Sequence, residues 1–111
     1  MLAISKELVS KLGECAHICN DCFMQCLGED NVKMMVECIG LCKECGKICT
    51  HKVGLVYKGA HFKKQQLELC IEACRACAEE CEKHDTDHNR ECVEACRTCE
   101  KACRDFLKEI A

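Results

Sequence analysis

Four segments of this chain repeat one cysteine spacing, C-x3-C-x2-C-x3-C. The copies are Cys15, Cys19, Cys22, Cys26; Cys38, Cys42, Cys45, Cys49; Cys70, Cys74, Cys77, Cys81; and Cys92, Cys96, Cys99, Cys103. They account for all sixteen cysteines of the chain. Steps of four, three and four residues are helix steps. At about 100° per residue, four such positions lie in a stripe roughly 60° wide. Each segment therefore predicts a helix whose buried seam is thiol. Thiolate sulfur ligates soft metals, pairs into disulfides and attacks electrophiles. Nucleophilic catalysis fits poorly, because it needs one cysteine with a positioned base and a substrate pocket. Here the thiols are many, equivalent and inward-facing. A redox sensor would need one exposed, low-pKa cysteine, and none stands out.

Metal binding uses this spacing best. Two thiols at i and i+4 can clamp an ion that accepts two near-linear ligands, as Cu(I) does, and soft thiolates select that ion. Zn(II) wants four ligands in a tetrahedron, which must come from several helices at matched heights. A multi-zinc thiolate store similar to metallothionein is the metal alternative. Iron–sulfur clusters draw their ligands from loops, whereas these cysteines sit on continuous helices. A disulfide-built or redox helical module is the other alternative, but neighbours on one helix face are badly placed for disulfide geometry. Within one stripe the Cα heights are about 0, 6, 10.5 and 16.5 Å. Four inward stripes would line a tube roughly 16 Å long. With bridging thiolates the limit is about one Cu(I) per cysteine. Exchanging one proton for one Cu(I) leaves the net charge of so crowded a core unchanged.

The elements that must hold these thiols follow from the repeat. Helix 1 is expected from about Ser5, as N-cap, to Gly28, as the residue after its C-terminus. Helix 2 is expected over about Val32 to Tyr57, weakened by Gly40 and Gly46, which also permit close backbone approach. Helix 3 should cover roughly Phe62 to Lys83. Helix 4 should run from about His88 to Ile110, after a turn capped by Thr86 or Asp87. Short connections predict an all-α, antiparallel, up-down-up-down four-helix bundle with a cysteine-lined core. At 111 residues the chain reads as one domain, residues 1–111. Charged residues make up 32% with both signs mixed and a formal net charge of -3. That leaves no basic footprint for nucleic acid or an anionic membrane. No apolar run approaches bilayer length. The N-terminal segment lacks the features of a secretion leader, so a cytoplasmic location is expected, where thiols stay reduced.

The two ends of the tube differ. One end gathers Cys26, Cys38, Cys81 and Cys92. Extending each stripe by a turn adds Met34 and Met35, His84, and His88, whose thioethers and imidazoles are candidate Cu(I) ligands. The other end is an apolar plug of Leu8, Leu12, Val53, Val56, Leu67, Phe106, Leu107 and Ile110. His17 and His51 fall on the outer face, and Met24 points away from its stripe. Glu79, Glu80 and Glu82 read as a solvated face.

The four stripes and the His84-Asp85-Thr86-Asp87-His88 turn resemble the bacterial copper storage proteins over essentially the whole chain. The resemblance implies a four-helix bundle that holds many Cu(I) ions, with no enzymatic activity. It implies high-capacity storage and buffering, with ions passing through the His/Met end. It also implies the cytosolic branch of the family, a homotetramer, and exchange with copper chaperones or with efflux and supply proteins.

Overall fold

A computed structural model describes residues 6–53 and 61–110. They form four α-helices: α1 (Lys6–Leu27), α2 (Val36–Lys52), α3 (Lys63–Cys81) and α4 (Asp87–Ile110). Among the described residues there is no β-strand. No described helix is long and apolar enough to cross a membrane.

The stripes drive the packing. On α1 the buried positions Leu8, Leu12, Cys15, Cys19, Cys22 and Cys26 alternate steps of four and three. That is a 3.5-residue repeat, the seam of antiparallel bundles. α3 continues it with Leu67 and α4 with Phe106. Every neighbour along the ring α1–α2–α3–α4–α1 packs, whereas the diagonal pairs keep their backbones apart. The bundle is elongated, 49 × 19 × 19 Å.

Several boundaries differ from the periodic expectation. Residues Val32–Met35 form a 3-10 turn, so α2 begins at Val36. α1 does stop before Gly28, but no described glycine has a positive φ. Its end is instead tightened by Gly28 N–H to Gln25 O (3.1 Å) and Glu29 N–H to Cys26 O (3.2 Å). These i→i−3 bonds satisfy the last carbonyls without a left-handed residue. α3 ends at Cys81, two residues early. Thr86 caps α4, accepting the Asn89 backbone N–H at 3.0 Å. Ser5 as N-cap, Val56, and the stretch of helix 2 to Tyr57 lie outside the described residues.

Only one of the two glycines in α2 serves close approach. A Cβ on Gly46 would lie 2.7 Å from Asn20 Oδ1, whereas one on Gly40 would meet nothing within 4 Å. Gly46 therefore marks a close approach of α1 and α2, opposite Ala16 and Asn20.

Candidate metal centre

All sixteen cysteines are free thiols and none is more than 1% exposed. The helices bring their sulfurs into mutual contact along the bundle axis. On one helix, Cys15–Cys19, Cys22–Cys26 and Cys38–Cys42 are each 3.9 Å apart. Between helices the spacings are similar, and they form an unbroken path. It runs from Cys26 to Cys38 (3.7 Å), Cys81 (3.7 Å) and Cys42 (3.7 Å). It continues to Cys92 (3.9 Å), Cys19 (3.8 Å) and Cys96 (3.7 Å). It finishes through Cys45 (4.0 Å), Cys74 (3.8 Å), Cys49 (3.9 Å) and Cys70 (3.7 Å). The diagonal helices α2 and α4 meet through sulfur, at Cys42–Cys92 and Cys45–Cys96.

Four-thiol sets with all sulfurs within 4.8 Å recur along this path. They include Cys22, Cys42, Cys81, Cys92; Cys19, Cys77, Cys92, Cys96; Cys15, Cys19, Cys45, Cys96; and Cys15, Cys49, Cys74, Cys99. A tetrahedral ZnS4 site with bonds of about 2.3 Å needs sulfurs about 3.8 Å apart, so spacing alone admits either ion. The sets share members, however. Cys92, Cys96, Cys19 and Cys15 each belong to two of them. Filling all four sets at once would require those four thiolates to bridge two ions each.

Contacts between thiols push their acidities in opposite directions. Cys15 is held below the ordinary thiol range, chiefly by its hydrogen bond with Cys19, and Cys19 is pushed up by the same contact. Cys38 is likewise held down, first by Cys22 and then by Cys42 and Cys81. Cys26 is pushed up to about 12, first by burial and then by the charge of Cys38. Burial disfavours a bare thiolate, and a monovalent ion that takes the place of the proton keeps the buried sulfur neutral.

The structure sorts the residues expected at the mouth. His88 is buried on the tube side. Its Nδ1 lies 3.4 Å from Cys22 Sγ and 3.9 Å from Cys26 Sγ, while Nε2 lies 2.8 Å from Glu29 Oε1. A ring donating Nε2–H to a carboxylate has its Nδ1 lone pair free for the thiols or a metal. His84 is partly buried and turned aside: its Nε2 meets Glu80 Oε2 at 3.0 Å, and the structure gives it no sulfur contact. Met35 is buried (1% exposed), three residues before Cys38. Met34 is 73% exposed, which corrects its expected place at the mouth. In the 3-10 turn, adjacent residues differ by about 120°, so only one of the two methionines faces inward. Met24, His17 and His51 are exposed, as their phase predicts.

Periodicity missed three polar residues here. Glu80, read as part of a solvated face, is only 8% exposed and holds His84. Glu29, in the connection after α1, lies on no stripe, yet it holds His88. Asn89 is fully buried and donates Nδ2–H to Cys38 Sγ at 3.1 Å and Cys22 Sγ at 3.7 Å. Its position beside His88, one turn before Cys92, was the available signal. Lys52 also continues the α2 stripe beyond Cys49 and is buried, its aliphatic stem suiting that position.

Residues 3–108 match the family described as Csp, copper storage protein. The chain belongs to the copper storage protein family. The cysteine-rich protein YhjQ of Bacillus subtilis (strain 168) is 41% identical over 84 residues, covering 76% of this chain and 78% of that one. The cytosolic copper storage protein Ccsp of Streptomyces lividans, in a structure loaded with 10 copper equivalents, superposes with a TM-score of 0.87. That match has 32% identity and covers 91% of this chain and 81% of Ccsp. The Cu(I)-bound Bacillus subtilis protein BsCsp3 superposes with a TM-score of 0.84 at 37% identity, covering 90% and 94% of the two chains. As a copper storage family member, the chain keeps its four cysteine stripes within the matched region.

Proposed function

We propose that this protein stores and buffers Cu(I) in the thiol-lined interior of its bundle, at roughly one ion per cysteine. The carrying observation is the unbroken path of buried sulfurs at 3.7–4.0 Å from Cys26 to Cys70. All sixteen cysteines are the ligand set, with His88, His84 and Met35 at the mouth. Each ion displaces a thiol proton, so loading leaves core charge near zero. The chain works as one domain, residues 1–111, without enzymatic chemistry. A cytosolic location and exchange with copper chaperones or supply and efflux proteins belong to the same reading. So does a homotetramer, for which exposed Met24, Leu27, Val36, Phe62 and Leu69 supply apolar contact surface.

The test is an anaerobic Cu(I) titration of reduced protein against a chromophoric Cu(I) chelator, repeated with excess zinc. Saturation near about sixteen ions, unaffected by zinc, is expected. Saturation at a few ions, or displacement by zinc at about one per four cysteines, would replace copper storage with a zinc-thiolate store.

The mouth has its own expected result. His88→Phe should slow uptake of the first copper by about tenfold or more, as loss of a ligand or its support does. His84→Phe should slow it less, because His84 reaches only Glu80. Total capacity should change by no more than about two ions in either variant. Stopped-flow uptake and end-point copper content measure the two effects separately. A large loss of capacity in either variant would place that histidine in the store itself.

A further inference from the structure

Asn89 is a side chain the storage reading leaves unused. It is wholly buried among the thiols at the mouth, yet an amide is no ligand for a soft ion. Its orientation is determined by Thr86. The Thr86 hydroxyl accepts the Asn89 backbone N–H at 3.0 Å, and its single proton goes to Asn89 Oδ1 at 2.6 Å. The amide NH2 must then face inward, where it donates to Cys38 Sγ and Cys22 Sγ. These two sulfurs and Cys26 form a three-thiol set within 4.8 Å, next to His88 Nδ1.

Hydrogen bonds between thiols vanish on loading, because every S–H proton leaves as copper arrives. The Asn89 N–H donors stay. Among the described residues, Asn89 supplies the only side-chain N–H donors directed at the core sulfurs that do not depend on a histidine tautomer. When copper departs from Cys38, a negative sulfur is left in a site that burial makes hostile to charge. A fixed N–H donor stabilises that sulfur and hence the step in which a Cu–S bond opens or closes. Among the described residues, no side-chain N–H other than those of Asn89 and His88 is directed at a core sulfur.

We infer that Asn89, oriented by Thr86, is a positioning residue that makes the Cys22–Cys26–Cys38 set the point of copper exchange. This rests on reading the His88 end as the mouth of a Cu(I) store. The amide speeds exchange in both directions and does so through its N–H groups. No bond to copper is made by Asn89 itself.

The test mixes Cu(I)-loaded full-length protein with excess chromophoric Cu(I) chelator and follows release by stopped flow. Wild type should show a fast phase from the mouth and slow phases from the interior. Asn89→Leu and Asn89→Asp both remove the N–H donor, and both should slow the fast phase by about tenfold, the usual scale for losing support around a metal ligand. Asp matters because it keeps the size and polarity of Asn. A wild-type fast phase in Asn89→Asp would overturn the inference in favour of a merely polar filler. Should substitution at Asn89 prevent folding, Thr86 gives a second route. Thr86→Ser keeps both hydrogen bonds and the fast phase, whereas Thr86→Val frees the amide and slows it. Equal rates in the two Thr86 variants would also overturn the inference. Total copper released is read in the same experiment. A total far below about sixteen ions contradicts the storage reading, whereas a full total with unchanged rates contradicts only the role of Asn89.

Discussion

Loading the metal-free protein with Cu(I) is expected to raise its thermal unfolding midpoint by more than about 20 °C. The metal-free core is held weakly. Its seam carries cysteine where a helix bundle normally carries leucine, and the thiols touch one another at 3.7–4.0 Å, the outer range for weak S–H donors. Each Cu–S–Cu bridge between stripes replaces such a contact with a coordinate bond joining two helices. Mass action sets the scale. A site held at one hundred times its dissociation constant adds about 2.7 kcal/mol, so four independent sites add roughly 11 kcal/mol. In a domain of this size each kcal/mol moves the midpoint by about 4 °C, so about half of that gain already exceeds 20 °C. Far-ultraviolet circular dichroism of anaerobic metal-free and loaded protein gives the comparison. A shift under about 5 °C would mean that copper does not cross-link the helices, and the core-store reading would fail.

The second large effect concerns capacity. Replacing Cys92, Cys96, Cys99 and Cys103 of α4 with alanine should lower copper content from about sixteen ions to about twelve. Replacing all sixteen cysteines should leave almost none. Alanine is the informative substitute, because a buried serine hydroxyl without a partner costs about 1–3 kcal/mol per site. Full retention of copper in the α4 variant would put the metal off the thiols altogether. Loss of all copper would show one indivisible cluster in place of a filled tube. The shared sets make α4 the demanding choice, since Cys92 and Cys96 each belong to two of them.

Much of this architecture was legible along the chain. Cysteines stepping by four and three define a helix face whether or not any partner is known, and four equal faces need one another to be covered. The apolar plug followed the same rule: Leu8, Leu12 and Leu67 extend their stripes and are buried. Legibility stopped where the 3.6-residue period stops. At the start of α2 a 3-10 turn replaces the first α-turn, which leaves Met34 in solvent and Met35 in the core. At the end of α3, Glu80 seemed to belong to an acidic outer face, but it folds against His84.

The amino-acid order by itself determined the four helices, their thiol seams, their antiparallel order and the difference between the two ends. Those properties depend on local spacing and on short connections, which act within a turn or two of the chain. Tertiary structure decided which donors meet at the mouth. His88 is set by Glu29, 59 residues away, and Cys38 by Asn89, 51 residues away. Contacts of that span depend on how two helix ends and two turns are placed in space. Periodicity puts His88 and Asn89 about one turn before Cys92, but it does not say which residue of another element each one meets. A polar side chain is buried only where the fold brings it a partner.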